Sequence, residues 1–272
     1  MFPTGKRTLL MGVLNVTPDS FSDGGRFADT ASALRRAEKM IEEGADIIDI
    51  GGESSRPGAE RISGEEELAR VLPVVKAIKR SFKVLVSVDT CKGSVAREAL
   101  ASGADIVNDI TAFGYDADMP AIISSFGAGA VLMHMRGEPS TMQRSPEYKD
   151  IIAEIYAFLE KAVNTAERAG IPPGKIIVDP GIGFGKTGEH NLEIIRSLKE
   201  FKKLGKPLLI GTSRKSFLGE VTGKDVSGRV FGTAASVAAC VMNGADIVRV
   251  HDVAEMKDVA LVIDAIKGRT DK

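Results

Sequence analysis

Three copies of one tetrapeptide constrain this chain more than any other feature. Gly-Ala-Asp-Ile begins at Gly44, Gly103 and Gly244. Each copy follows a helix-like stretch and opens an apolar run, so each reads as a helix C-cap glycine followed by a strand start. The first two copies lie 59 positions apart and the second and third 141. Taken as two and four repeats, these spacings give about 30 and 35 residues per strand–helix unit, the length such a unit needs.

The rest of the chain fills in the units. Apolar strand-like runs fall at 9–16, 47–50, 84–88, 106–110, 130–135, 176–178, 208–211 and 247–250. The run at 176–178, Ile-Ile-Val, is too short for a helix and reads as a strand buried on both faces. Between the runs, Leu34, Ala37, Met40 and Ile41 mark a helix capped by Asp29 or Thr30. Ser63 and Glu66 form a capping box before Leu68, Val71, Leu72, Val75 and Ile78 at helical spacing. Shorter helices are predicted at 94–102 and 120–126, a long one from Ile151 to Ala166, a small-residue helix around Ala234–Ala239 and a last one at 254–266. Eight parallel strands, each followed by a helix, predict one α/β domain over 1–272, a closed (β/α)8 barrel with its site at the C-terminal strand ends. The runner-up is an open doubly wound sheet. That fold normally carries a Gly-x-Gly-x-x-Gly turn after its first strand, and Asn15-Val16-Thr17-Pro18 is nothing like it.

Composition narrows the function. With 43% hydrophobic and 27% charged residues and a formal net charge of −1, the chain has a full core and no bulk attraction for nucleic acid or anionic membranes. No apolar run reaches the ~20 residues of a membrane span, and no signal segment is predicted ahead of the first strand. Cys91 and Cys240 have no metal-ligand spacing and read as free thiols of a reducing cytosol.

At the predicted strand ends stand Asn15, Glu53-Ser54-Ser55-Arg56, Asp89, Asn108, Met133-His134, Asp179, Ser213-Arg214-Lys215 and Arg249-Val250-His251. A lone Asp or Asn there is more often a turn former than a ligand, and Asp179 before Pro180-Gly181 reads either way. Polar residues at nearly every end of a ring with one centre are harder to explain as turns. Asp89, Asn108, Asp179 and Lys215, with Met133 and Phe184 as apolar surround, suit a flat heterocycle with an amidine-like edge. Arg56, Arg249 and His251, with the Ser55 hydroxyl, suit an anion such as phosphate. Asn15 offers a neutral oxygen to a hard cation such as Mg²⁺. Long glycine-bearing loops at 17–27 and 54–64 read as lids or disordered segments. No Ser–His triad or zinc cluster is visible.

Together these motifs resemble the dihydropteroate synthase family of pterin-binding enzymes. Asn15-Val16-Thr17-Pro18-Asp19-Ser20-Phe21-Ser22-Asp23-Gly24-Gly25 and Asp49-Ile50-Gly51-Gly52-Glu53-Ser54-Ser55-Arg56-Pro57-Gly58 are similar to its two signature loops. Asp89-Thr90, Asn108-Asp109, Met133-His134-Met135, the segment Asp179 to Lys186, Gly211-Thr212-Ser213-Arg214-Lys215 and Arg249-Val250-His251-Asp252 follow its later motifs in order. The resemblance implies condensation of (7,8-dihydropterin-6-yl)methyl diphosphate with 4-aminobenzoate, by ionisation and then amine attack, with Mg²⁺ on Asn15. It implies a pterin site of Asp89, Asn108, Met133, Asp179, Phe184, Gly211, Lys215 and Arg249. The diphosphate site would be Asn15, Ser55, Arg56, Arg249 and His251, and the aminobenzoate site Phe21, Arg56, Pro57 and Ser213. Asp89, Lys215, Arg249 and His251 would act in catalysis, in a cytoplasmic homodimer whose only other partners are small molecules. Two competing readings are a methyltetrahydrofolate–corrinoid methyltransferase and a non-catalytic pterin binder. The chain departs from the family at Ser55, where Thr is usual, and at Thr111-Ala112-Phe113, a bulkier turn than expected that bears on the pocket rim.

Overall fold

The structure, a computed structural model, describes residues 5–17, 25–54, 58–143 and 146–269, and at 25–29 the backbone alone. Among the described residues eight strands are present: β1 Leu9–Asn15, β2 Ile47–Gly51, β3 Leu85–Asp89, β4 Ile106–Asp109, β5 Gly129–Met133, β6 Ile176–Asp179, β7 Leu209–Ile210 and β8 Ile247–Val250. All pair in parallel, in the order β6-β5-β4-β3-β2-β1-β8-β7. A parallel bridge from Val178 to Leu208 joins β6 to β7 and closes the ring. The helices are α1 Gly25–Glu42, α2 Gly64–Ser81, α3 Gly93–Ala101, α4 Met119–Ser125, α5 Ile151–Arg168, α6 Gly188–Arg196, α7 Leu198–Phe201, α8 Ser216–Thr222, α9 Val230–Met242 and α10 Val253–Ile266. The closed barrel is the expected one, and the open sheet is excluded.

Strand parity separates two cores. Leu9, Met11, Ile47, Leu85, Ile106, Val131, Ile177, Leu209 and Ile247 meet inside the barrel. Their chain neighbours Leu10, Ile48, Val86, Val107, Leu132, Val178, Ile210 and Val248 pack outward, against the helices. A period of two along each strand produces both layers.

The tetrapeptide repeat does more than end helices. Gly44, Gly103 and Gly244 have φ of +99°, +102° and +111°, which a side chain would strain. The aspartate two residues on then locks onto the preceding strand. The amides of Asp46, Asp105 and Asp246 donate to the carbonyls of Leu10, Val86 and Leu208. In return their carboxylates accept the amides of those same three residues at 2.9, 2.8 and 2.8 Å. Each also holds a cation from below: Arg7, Lys79 or Lys202. We expect Asp246→Ala, at the most buried of the three sites, to cost about 1–3 kcal/mol by orphaning the Leu208 amide. Urea denaturation at unchanged m-value is the check.

Two sequence expectations are corrected. Asp29 and Thr30 do not cap the first helix, which begins at Gly25 and so contains both. Both are thus in the second turn, past the four amides that need a cap, because the helix starts a turn earlier than Asp29. The seventh strand is two residues rather than four. The Leu208 amide goes to the Asp246 carboxylate instead of a ladder, and Pro207 has no amide to give.

Candidate active site

The inward parity that makes the barrel floor apolar makes its upper layers polar. Two residues above Ile47 comes Asp49; above Leu85 come Ser87 and then Asp89. Asn108 stands two above Ile106, Met133 two above Val131 and Asp179 two above Ile177. Gly211 stands two above Leu209, and Arg249 two above Ile247. Register sets Asp89 beside Asn108 and Gly51, and Met133 beside Asp179. Far-separated residues thus meet at one mouth.

Arg249 is the centre of this layer. Its Nε donates to Asp49 Oδ2 at 2.6 Å and a terminal nitrogen donates to Asp89 Oδ2 at 2.9 Å. Asn108 Nδ2 donates to the same Asp49 oxygen at 3.1 Å. Burial opposes the Arg249 charge, but Asp49 and Asp89 outweigh it and hold the guanidinium above its ordinary value. Asp89 is pushed up to about 7, chiefly by burial, against the pull of Arg249 and with the help of Asp49. A neutral-pH equilibrium between a carboxyl group and a carboxylate suits a group that must stay ionised only when a cationic or N–H-rich ligand arrives.

The second half of the layer is Asp179 and Lys215. Asp179 performs both readings the sequence left open. Its Oδ1 accepts the Gly181 amide at 2.7 Å, a turn-forming bond, while its position on β6 points it into the cavity. Burial raises its pKa, and Lys215 is the strongest opposing charge. Lys215 is brought down to about 8 by burial, with Asp179 opposing and Arg249 assisting. Its ammonium donates to the Ile182 carbonyl and lies 4.7 Å from the centre of the Phe184 ring. The loop after β6 therefore wraps the Lys215 head. Gly211 flanks it: a methyl there would lie 3.9 Å from Lys215 Nζ and 3.7 Å from Arg249 Cβ.

His251 and Ser213 form a third group. His251 Nδ1 and the Ser213 hydroxyl are 3.0 Å apart, and the His251 amide donates to the same hydroxyl at 3.2 Å. Arg214, beside Ser213, has φ +60° and is turned away into an ion pair with Asp252. On the opposite side, Asn15 Oδ1 lies 3.5 Å from where a Gly51 methyl would sit, and Asp89 is the next neighbour of that point. Asn15 is thus next to the carboxylate layer. Phe21, Ser55, Arg56 and Pro57, together with Asp19 and Asp23, lie outside the described residues.

Asp49 was not singled out from the sequence, although it is wholly buried and holds both Arg249 and Asn108. The available signal was a carboxylate inside an all-apolar strand, two positions above an inward-facing Ile47. Asn108-Asp109 divides by parity: Asn108 faces the cavity, whereas Asp109 caps the following turn. Its two oxygens accept the Thr111 amide at 2.8 Å, the Thr111 hydroxyl at 2.7 Å and the Phe113 amide at 2.8 Å. Those bonds hold Ala112 and Phe113 at φ +47° and +73°. Phe113 packs against the helix layer, so the bulk of this turn is directed away from the pocket.

A polar mouth of this composition on a (β/α)8 barrel defines a binding site for a small polar heterocycle. The chain belongs to the pterin binding enzyme family, whose model matches residues 11–251. Dihydropteroate synthase of Synechocystis sp. is 47% identical over 267 residues, covering 98% of this chain and 92% of that protein. The crystal structure of Clostridium difficile dihydropteroate synthase in the presence of pteroic acid matches with a TM-score of 0.93 at 44% identity, over 98% of this chain and 99% of that one. Xanthomonas albilineans dihydropteroate synthase with 4-aminobenzoic acid matches with a TM-score of 0.90 at 40% identity, over 96% and 93%.

Proposed function

We propose that this protein condenses (7,8-dihydropterin-6-yl)methyl diphosphate with 4-aminobenzoate, releasing diphosphate and giving 7,8-dihydropteroate for folate synthesis. The observation that carries this reading is the Asp49–Arg249–Asp89 and Asp179–Lys215 layer at one barrel mouth in a chain whose full-length relatives are dihydropteroate synthases. Methyl transfer to a corrinoid partner finds no support in those relatives.

In this mechanism Asp89, Asn108 and Asp179 accept the N–H edge of the pterin, and Lys215 donates to a ring acceptor. Met133 and Phe184 line the ring's faces. The bond from the pterin methylene to the diphosphate oxygen breaks first, and its electron pair leaves with the diphosphate. Arg249, His251, Ser55 and Arg56 receive the growing charge. Asp89 and Asp179 stabilise the cationic pterin methylene, and the aminobenzoate nitrogen then attacks and loses a proton. Phe21, Pro57, Arg56 and Ser213 orient that amine.

The chemistry around Asn15 fits Mg²⁺ brought in with the diphosphate. Among the described residues no group of three His, Cys, Asp or Glu could hold a metal, and Mg²⁺ commonly takes few protein ligands beside phosphate oxygens and water. Asn15 would hold the ion, which when bound supplies charge neutralisation of the leaving diphosphate.

The test is diphosphate release coupled to dihydropteroate formation, with and without Mg²⁺. Tight pterin binding with no product would sink the reading. A second expectation concerns pH. Asp89 must be ionised and Lys215 protonated, so kcat/KM should rise through about 7 and fall through about 8. In Lys215→Arg the residual activity should lose its alkaline limb, because guanidinium stays charged there. A limb that remains in that variant would remove Lys215 from the assignment.

The proposed state is a cytoplasmic homodimer. Cys91 and Cys240 are free and buried, and no helix among the described residues is long and apolar enough to cross a membrane. Phe231 and Met242 on α9, and Leu261, Val262 and Ile266 on α10, are exposed large hydrophobics on adjacent helices, Phe231 by 81%. A second copy covering these helices would remove that surface from water. Phe231→Glu is expected to shift the mass measured by light scattering toward the monomer.

A further inference from the structure

Lys186 has no part in the reaction as described, yet it is 2% exposed and lies directly behind the pterin pocket. Its Nζ is 3.0 Å from His134 Nδ1 and donates to the carbonyls of Phe184 at 2.9 Å and His134 at 3.4 Å. Burial, with Lys186 and Arg136 nearby, drives the His134 ring down to about 3, so the imidazole is neutral and its Nδ1 accepts from the lysine. The ring is fixed from the other side by an edge contact with Phe158 at 4.9 Å. One amino group, brought down to about 7 by burial against the pull of Asp179 and carrying N–H donors in either protonation state, thus joins the segment after β5 to the loop after β6.

That second loop is the one that holds Lys215. Ile182 supplies the carbonyl under the Lys215 head and Phe184 the ring beside it. Phe184, whose carbonyl Lys186 grips, and Lys215, the pterin donor, are therefore consecutive links. We propose that Lys186 is a positioning residue for pterin recognition: it pins the loop after β6 to His134 and so sets the place of Phe184 and Lys215. The inference rests on the pterin site assigned above.

The packing around the pin supports it. Methyl groups at Gly181 and Gly185 would run into the carbonyls of His134 and Arg136, so the two segments interlock at backbone distance at two points just before Lys186. Half-buried Tyr148 Oη donates to the Gly185 carbonyl at 2.9 Å and exposed Gln143 Nε2 to the Gly183 carbonyl at 2.6 Å. Among the described residues Lys186 is the fully buried side-chain donor between the two segments. Its removal leaves two carbonyls and a ring nitrogen without their shared buried partner.

The experiment compares wild type with Lys186→Met, which keeps the stem and deletes the donors, and Lys186→Gln, which keeps a shorter donor. Calorimetric titration with 6-hydroxymethyl-7,8-dihydropterin and steady-state kinetics with both substrates are the readouts. Lys186→Met is expected to weaken pterin binding and raise KM for the pterin diphosphate about tenfold or more. KM for aminobenzoate should stay within about twofold, and Lys186→Gln should recover part of the loss. A lowered melting temperature with both KM values unchanged would mean that Lys186 serves stability alone and would overturn the proposal. Should Lys186→Met fail to fold, Lys186→Gln decides: a lowered melting temperature together with pterin affinity equal to wild type would equally overturn it. Wild-type protein that does not bind the pterin would instead refute the pterin site itself.

Discussion

Replacing Arg249 with Met is expected to reduce dihydropteroate formation by about 10²–10³-fold and to cost roughly 3–5 kcal/mol of folding stability. Both losses trace to the same two bonds. Asp49 is fully buried, and Arg249 is the only cation bonded to it among the described residues. Its Oδ1 has no hydrogen-bond partner there at all, so it depends on the charge beside its other oxygen. Removing the guanidinium leaves a buried carboxylate with only an Asn108 amide, and it frees Asp89 to take up a proton where it should accept pterin N–H groups. The pair of losses can be pulled apart. In Arg249→Met with Asp49→Asn the buried charge is gone, and urea denaturation should show most of the stability restored while activity stays low. Activity returning together with stability would mean that Arg249 serves the fold alone.

The same layer shows what a sequence discloses and what it hides. The polar strand ends were legible because each broke an apolar run where the chain must turn. Asp89, Asn108, Asp179, Lys215 and Arg249 were all found that way, and the structure brings them to one mouth. Asp49 was hidden because it interrupts nothing. It lies inside β2 with Ile48 and Ile50 on either side, and only the inward parity shared with Ile47 marks it. The repeat glycines announced helix ends by type, but the aspartates that follow them act across strands, and such partners are set by register. α6 was unannounced for a local reason. Thr187 caps it by accepting the His190 amide, and His190 Nδ1 returns the bond at 3.2 Å. His in place of the usual Glu or Gln does not signal a capping box. The loops carrying Phe21 and Arg56 were assigned by resemblance alone.

The other large effect is expected at Gly181, where Ala should cost about 3 kcal/mol or more and weaken pterin binding along with it. Two separate penalties add. Gly181 has φ +72°, and a side chain in that left-handed region costs roughly 1–2 kcal/mol. Its methyl would also overlap the His134 carbonyl oxygen, with the carbonyl carbon at 3.0 Å and Met133 Cγ at 3.3 Å. The carbonyl cannot retreat easily, because the His134 amide is bonded to the Asp179 carbonyl at 2.9 Å. Gly223, at the end of α8, provides the control: φ +70° and nothing within 4 Å of an added methyl. Gly223→Ala should therefore show the conformational penalty alone, and the difference between the two variants in urea denaturation isolates the crowding. Crowding at Gly181 pushes on the loop that carries Ile182 and Phe184, so its KM for the pterin diphosphate should rise while that of Gly223→Ala does not. Equal stability losses would mean that the loop after β6 yields to the methyl, and a pocket edge that yields so readily could not hold Lys215 in place.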